Sequence, residues 1–62
     1  MNATYFWSAR VEVQGGYEYI YGVMEMEKVT PDNKLAALKE IEVEISYYAN
    51  KRPFQIVSWS LL

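Results

Sequence analysis

A chain of 62 residues with 52% hydrophobic and 16% aromatic side chains has the composition of one small folded domain, not of a disordered segment. It contains no Cys and no His, which removes disulfides, the usual zinc ligand sets, a thiol nucleophile and the commonest general base. A net charge of −2 and a pI near 4.9 lack the basic footprint of a nucleic-acid binder, and no apolar run is long enough to span a bilayer.

A chain this short buries only about 60% of its unfolded surface and is marginally stable alone. With disulfides and zinc removed, self-association is the remaining common support. The absence of Cys fits a cytoplasmic protein. Met1 to Gln14 has neither the basic start nor the apolar run of a signal peptide, so Asn2-Ala3-Thr4 reads as a chance match to the glycosylation pattern.

The first predicted element is a β-hairpin over Ala3 to Glu27, folded about Gly15-Gly16. Both arms are rich in aromatic and β-branched residues and free of Pro. A Gly-Gly loop supplies the two positive φ angles of a type I′ turn. That loop pairs Gln14 with Tyr17 and sets Val11 opposite Ile20, Ala9 opposite Gly22, Trp7 opposite Met24 and Tyr5 opposite Met26. The pairs from Val11/Ile20 to Tyr5/Met26 share one face, apolar apart from Glu18 near the turn. The other face carries Phe6, Ser8, Arg10, Glu12 and Gln14 against Tyr17, Tyr19, Tyr21, Val23, Glu25 and Glu27. A three-residue loop would set Glu12 against Glu18, a like-charge pair, which favours the shorter loop.

Thr30-Pro31-Asp32-Asn33 is a helix start: Thr30 can cap, Pro31 suits the first helical position and Asp32 suits the positive end of the dipole. The helix is predicted from Pro31 to about Ala49, with Leu35, Leu38, Ile41, Ile45, Tyr48 and Ala49 in one stripe. Ile41, Val43 and Ile45 also alternate with glutamates as a strand would. The helical stripe spans the whole segment and outweighs that pattern. Asn50-Lys51-Arg52-Pro53 stops the helix through a left-handed cap, cations at the negative dipole end, and Pro.

Phe54 to Leu61 is predicted as a third strand, with Val57, Trp59 and Leu61 toward the helix and Phe54 and Ile56 beside the tyrosines. A right-handed crossover then returns this strand beside the first. The expected fold is α+β: a ββαβ two-layer sandwich with a three-stranded antiparallel sheet, order 2-1-3, and one helix on one face. The whole chain, 1–62, forms one domain. Its expected core is Trp7, Ala9, Val11, Ile20, Met24 and Met26 on Leu35, Leu38, Ile41, Ile45, Val57 and Trp59.

Catalysis has little to work with. The serines have no apparent activating partner, and the pairs Glu25/Glu27 and Glu40/Glu44 read as solvated edges. There is no phosphate loop, dinucleotide fingerprint or calcium loop, so neither cofactor nor metal is expected. Glu40, Glu42 and Glu44 could imitate a phosphate backbone, but the lysines on the same element make a plain solvated face the simpler reading. A tiny acidic α/β chain of this character resembles, in kind, phage or mobile-element accessory proteins that bind and inhibit a larger host protein.

The one feature that points to function is the outer sheet face: Phe6, Arg10, Tyr17, Tyr19, Tyr21 and Val23, with Phe54 and Ile56 expected beside them. Tyrosines form strands well and tolerate half-exposure, which explains part of it. Tyr is also enriched at binding hot spots, which makes this the expected protein-binding surface of a non-enzymatic module. The alternative, stacking of single-stranded nucleic acid, needs cations, and the face offers Arg10, with Lys51 and Arg52 as further candidates, against Glu12, Glu25 and Glu27. The same exposed aromatics and open sheet edges predict a two-fold homodimer.

Overall fold

The computed structural model describes all residues 1–62 and has the order β1 (Asn2–Val13), β2 (Gly16–Glu27), α1 (Lys34–Tyr48) and β3 (Phe54–Leu61). The strands form one antiparallel sheet in the order β2-β1-β3. The helix packs on one sheet face, so the ββαβ architecture read from the sequence is the fold. No helix is long and apolar enough to cross a membrane. The domain measures 41 × 19 × 16 Å, its long axis set by strands of 12 residues at about 3.3 Å each.

The hairpin register differs from the expected one. β1 and β2 pair from Asn2↔Glu27 to Val13↔Gly16, so the two loop residues are Gln14 and Gly15, and Trp7 lies opposite Gly22. Gly15 has φ +88°, whereas Gln14 is not among the positive-φ residues. That is the sign pattern of a type II turn, which needs one left-handed residue instead of the two of type I′. The register also places the largest side chain over Gly22, the one glycine in the interior of β2. A Cβ on Gly22 would stand 2.7 Å from Trp7 Cζ2 and 2.9 Å from Cε2. The displacement is two residues, so every side chain keeps its expected face.

Fully buried residues are Tyr5, Trp7, Ala9, Val11 and Met26 from the hairpin, with Ala37, Ile41, Ile45 and Ala49 from the helical segment. Ile20, Met24, Leu38, Phe54, Ile56 and Trp59 pack around them. The helical stripe therefore runs along Ala37-Ile41-Ile45-Ala49, one residue every turn. Leu35, expected in the core, is 77% exposed. Ala37 takes the contact with Tyr5 and Met26 instead, and a small residue lets the helix settle close to those bulky side chains. Tyr48 lies at the stripe's end, half exposed, with its ring tilted 38° against Trp7 at 5.8 Å.

Both ends of α1 follow local hydrogen bonding. Thr30 and Asn33 exchange bonds, Thr30 N–H donating to Asn33 Oδ1 (2.7 Å) and Asn33 N–H to Thr30 Oγ1 (3.4 Å). Asn33 Nδ2 also donates to the Lys28 carbonyl. These bonds close a separate turn over 30–33, and the helix starts at Lys34 instead of Pro31. At the far end Lys51 N–H reaches the Ser46 carbonyl and Asn50 N–H the Tyr47 carbonyl, with Asn50 at φ 58° and Lys51 at φ 63°. This is the Schellman arrangement, and Asn50 stands where it was expected. Arg52 Nε donates to the Ala49 carbonyl at 2.8 Å.

β3 carries the second difference. Its register with β1 shifts between Ser8 and Ala9: Ser8 pairs with Ser58 and Ala9 with Ile56, leaving Val57 as a bulge. Past the bulge the alternation reverses. Trp59 packs on the core as expected, but so do Phe54 and Ile56, opposite Val11 and Ala9. Val57, expected in the core, is the extra residue and is 56% exposed. Strict alternation over eight residues cannot place Phe54, Ile56 and Trp59 on one face, and the bulge does so.

Candidate functional site

The outer sheet face is built by residues of even number in β1 and odd number in β2. Arg10 pairs with Tyr19, Glu12 with Tyr17, Ser8 with Tyr21 and Phe6 with Val23. The tyrosines lie along the free edge of the sheet, since β2 is a border strand. Tyr17, Tyr19 and Tyr21 are 58%, 66% and 76% exposed, and Val23 is also exposed. The rings are partly ordered by neighbours. Phe6 and Tyr21 stack at 6.5 Å with 27° between planes. The Arg10 guanidinium lies over the Tyr17 ring, 4.5 Å from its centroid, a cation–π contact. Arg10 Nη2 also donates to Gln55 Oε1, so Arg10 spans the sheet from β3 to β2. Ser8 and Ser58 share a hydroxyl–hydroxyl hydrogen bond of 2.7 Å on the same face.

All six expected surface residues, Phe6, Arg10, Tyr17, Tyr19, Tyr21 and Val23, therefore share one face, with Phe6 and Arg10 half-buried among the others. Two expected neighbours do not. The Val57 bulge turns Phe54 and Ile56 to the core and brings Gln55 to the Arg10 side chain. Gln55 was not foreseen, because its place follows from a one-residue insertion that leaves no composition signal. Arg52 is held on the helix side by Ala49 and stands 4.0 Å from Glu18, an exposed ion pair of small energy. Its charge is thus not added to the tyrosine face.

The surface is shallow. One depression on it, ≈ 130 Å³, is lined by Arg10, Glu12, Tyr17, Pro53, Phe54 and Gln55. A second of ≈ 60 Å³ lies where the helix start meets the end of β2, between Ala36, Ala37, Glu40 and Met26. Pockets for small molecules usually hold about 300–1,000 Å³, so neither depression encloses a ligand of that kind. No group of three or more acidic side chains comes together as a metal-ligand set.

A second aromatic group lies on the helix layer. Tyr47 and Tyr48 meet edge-to-face at 5.2 Å, and Tyr47 and Val43 are strongly exposed. The second depression shows that the Ala36/Glu40 flank of α1 faces β2. Glu44 and Tyr47 follow on that flank at helical spacing. The chain matches no protein-family model, no curated protein sequence and no solved structure.

Proposed function

We propose that this chain is a small protein-binding module that acts by occupying the surface of a larger partner, with no turnover of its own. Its working surface is the outer sheet face around Phe6, Arg10, Tyr17, Tyr19, Tyr21 and Val23. The observation that carries this reading is that three tyrosines in a row on one strand stand more than half exposed while the core is complete without them. Large apolar rings left in water with no structural duty are the composition of an interface centre. The lack of His and Cys and the shallow surface support binding over catalysis. Inhibition of the bound protein is the simplest outcome for a module of this kind. A second copy of the chain is a competing occupant of the same rings, since both cannot cover them at once.

The test is binding of the native partner by wild type and by the double variant Tyr19→Ala/Tyr21→Ala. Both changes lie on an exposed face, so thermal unfolding should alter little. Partner affinity is expected to drop at least about thirtyfold, the 2 kcal/mol that marks a hot spot. Equal capture of the same partner by both proteins would overturn the proposal. A salt titration separates the nucleic-acid alternative, in which affinity falls steeply with salt through phosphate contacts. Arg10 is the only cation whose contacts place it on this face, which disfavours that alternative.

A further inference from the structure

The hydrogen-bond phase of the sheet shows what the β2 border offers. Lys28 N–H donates to the Met1 carbonyl, while Glu12 N–H and the Thr4 carbonyl bond toward β3. Odd residues of β1 therefore bond to β2, and their partners there are the even residues. The odd residues of β2 direct their N–H and C=O groups to the free border. These are Tyr17, Tyr19, Tyr21, Val23 and Glu25. The residues whose rings cover the outer face thus also present the open backbone.

The two borders of the sheet are not equivalent. β3 has eight residues and is broken by the Val57 bulge, a device that turns a border away from pairing. β2 has 12 residues, no bulge and no Pro. Tyr19 to Met24 is uncharged, and the helix side of Gly22 at its centre is filled by the Trp7 ring, with Ile20 and Met24 to either side along the strand. The Trp7 indole nitrogen is buried without a hydrogen-bond partner, 3.2 Å from where a Gly22 Cβ would stand. Acidic side chains stand at both ends of this window: Glu18 and Glu25 on β2, and Glu40 where the helix start faces the end of β2. The two arginines nearby are engaged, Arg10 by Tyr17 and Gln55, Arg52 by Ala49 beside Glu18.

From this we infer that the β2 border takes an extended segment of the partner protein as a fourth strand, apolar at its centre and carrying Lys or Arg toward its ends. The added strand bonds to the odd residues of β2. Its side chains opposite Tyr19 and Tyr21 lie against the exposed rings, and the one opposite Gly22 lies on the helix side, where the strand offers no Cβ. The cations meet the bracketing glutamates. This deepens the proposed function and rests on it for the ring contacts; the backbone pairing is a separate claim.

The experiment uses the full chain and a soluble peptide with a Val/Thr centre and Lys at both ends, matched in length to Tyr17–Glu25. Amide exchange is followed residue by residue. In the free chain the odd amides of β2 exchange fast and the even ones slowly. With peptide the odd amides are expected to slow at least about tenfold, the mark of new ladder bonds. Methylating the peptide's alternate amides, or replacing its Lys by Glu, is expected to weaken binding at least about tenfold. Binding that shifts the tyrosine rings without protecting odd amides overturns the strand addition and leaves the face reading standing. Equal binding of the Glu peptide, or no binding of the Lys peptide at millimolar concentration, overturns the basic segment. Odd amides already protected in the free chain, with sedimentation reporting two copies, show that a second copy is the occupant and overturn the proposal.

Discussion

Trp7→Ala is expected to leave the chain largely unfolded at room temperature. Trp7 is 1% exposed, and it joins both layers: Ala9 beside it, Ile41 and Ile45 above, Gly22 across the strand. Removing a buried Trp costs about 3–5 kcal/mol through lost transfer energy and the cavity left behind. A domain of this length has roughly 3–9 kcal/mol in total, at 0.05–0.15 per residue. Neither a disulfide nor a zinc cluster of the usual kind adds to it, so the low end of that range applies. The unpartnered indole nitrogen moderates the loss, since a buried N–H without an acceptor costs about 1–3 kcal/mol that the variant recovers. Trp7→Phe keeps most of the area and is expected to stay folded with an intermediate midpoint. Urea unfolding followed by far-UV circular dichroism checks both variants. A cooperative transition for Trp7→Ala within about 1 kcal/mol of wild type would show that the core closes without this ring.

Gly22→Val is expected to destabilise by about 2–3 kcal/mol, the upper range for overpacking a filled site. The prediction is sharp because two effects oppose each other. Val is favoured over Gly in a strand by up to about 1 kcal/mol, so propensity alone says that the variant gains stability. The new Cβ, however, would stand 2.7 and 2.9 Å from ring carbons of Trp7, and Trp7 has buried neighbours on its other side. The ring cannot retreat, so the clash wins over the propensity. Thermal unfolding decides it: a midpoint at or above wild type would mean that the Trp7 ring is free to move. Gly22→Ala is the milder form of the same test, with the same sign.

The architecture was legible in the sequence because each element carried its own punctuation. Gly15 had to lie at or beside the turn, Thr30 to Asn33 did lead into the helix, though as a separate turn ahead of its start at Lys34, and Asn50 did close it in the left-handed conformation. What was not legible came from pairing between elements. The choice between Gln14-Gly15 and Gly15-Gly16 as the loop depends on where Trp7 finds room, a contact well away from the turn that only the two strands together reveal. The Val57 bulge has the same character. Phe54, Ile56 and Trp59 do not obey one alternation, and the extra residue reconciles them only once β1 is beside them. Ala37 replaced Leu35 in the core because closeness to Tyr5 and Met26 favours a small residue, an effect invisible to a hydrophobic stripe. The tyrosine face survived these errors because a two-residue slip preserves which side of the sheet each residue occupies.

The central position of β1 also sets the order of events when the chain folds. Its pairs with β2 start at Val13 and Gly16, so that half of the sheet can zip outward from a tight turn, adding one contact next to the last. Its pairs with β3 have no such beginning. The nearest partners in the chain are Val11 and Phe54, and the whole helix lies between them. That closure costs entropy before any contact repays it. The hairpin and the helix docking on it are therefore expected in the transition state, with β3 arriving after the barrier. Truncation at Ile20 should then slow folding, and truncation at Trp59 should chiefly speed unfolding, a difference that stopped-flow chevrons resolve.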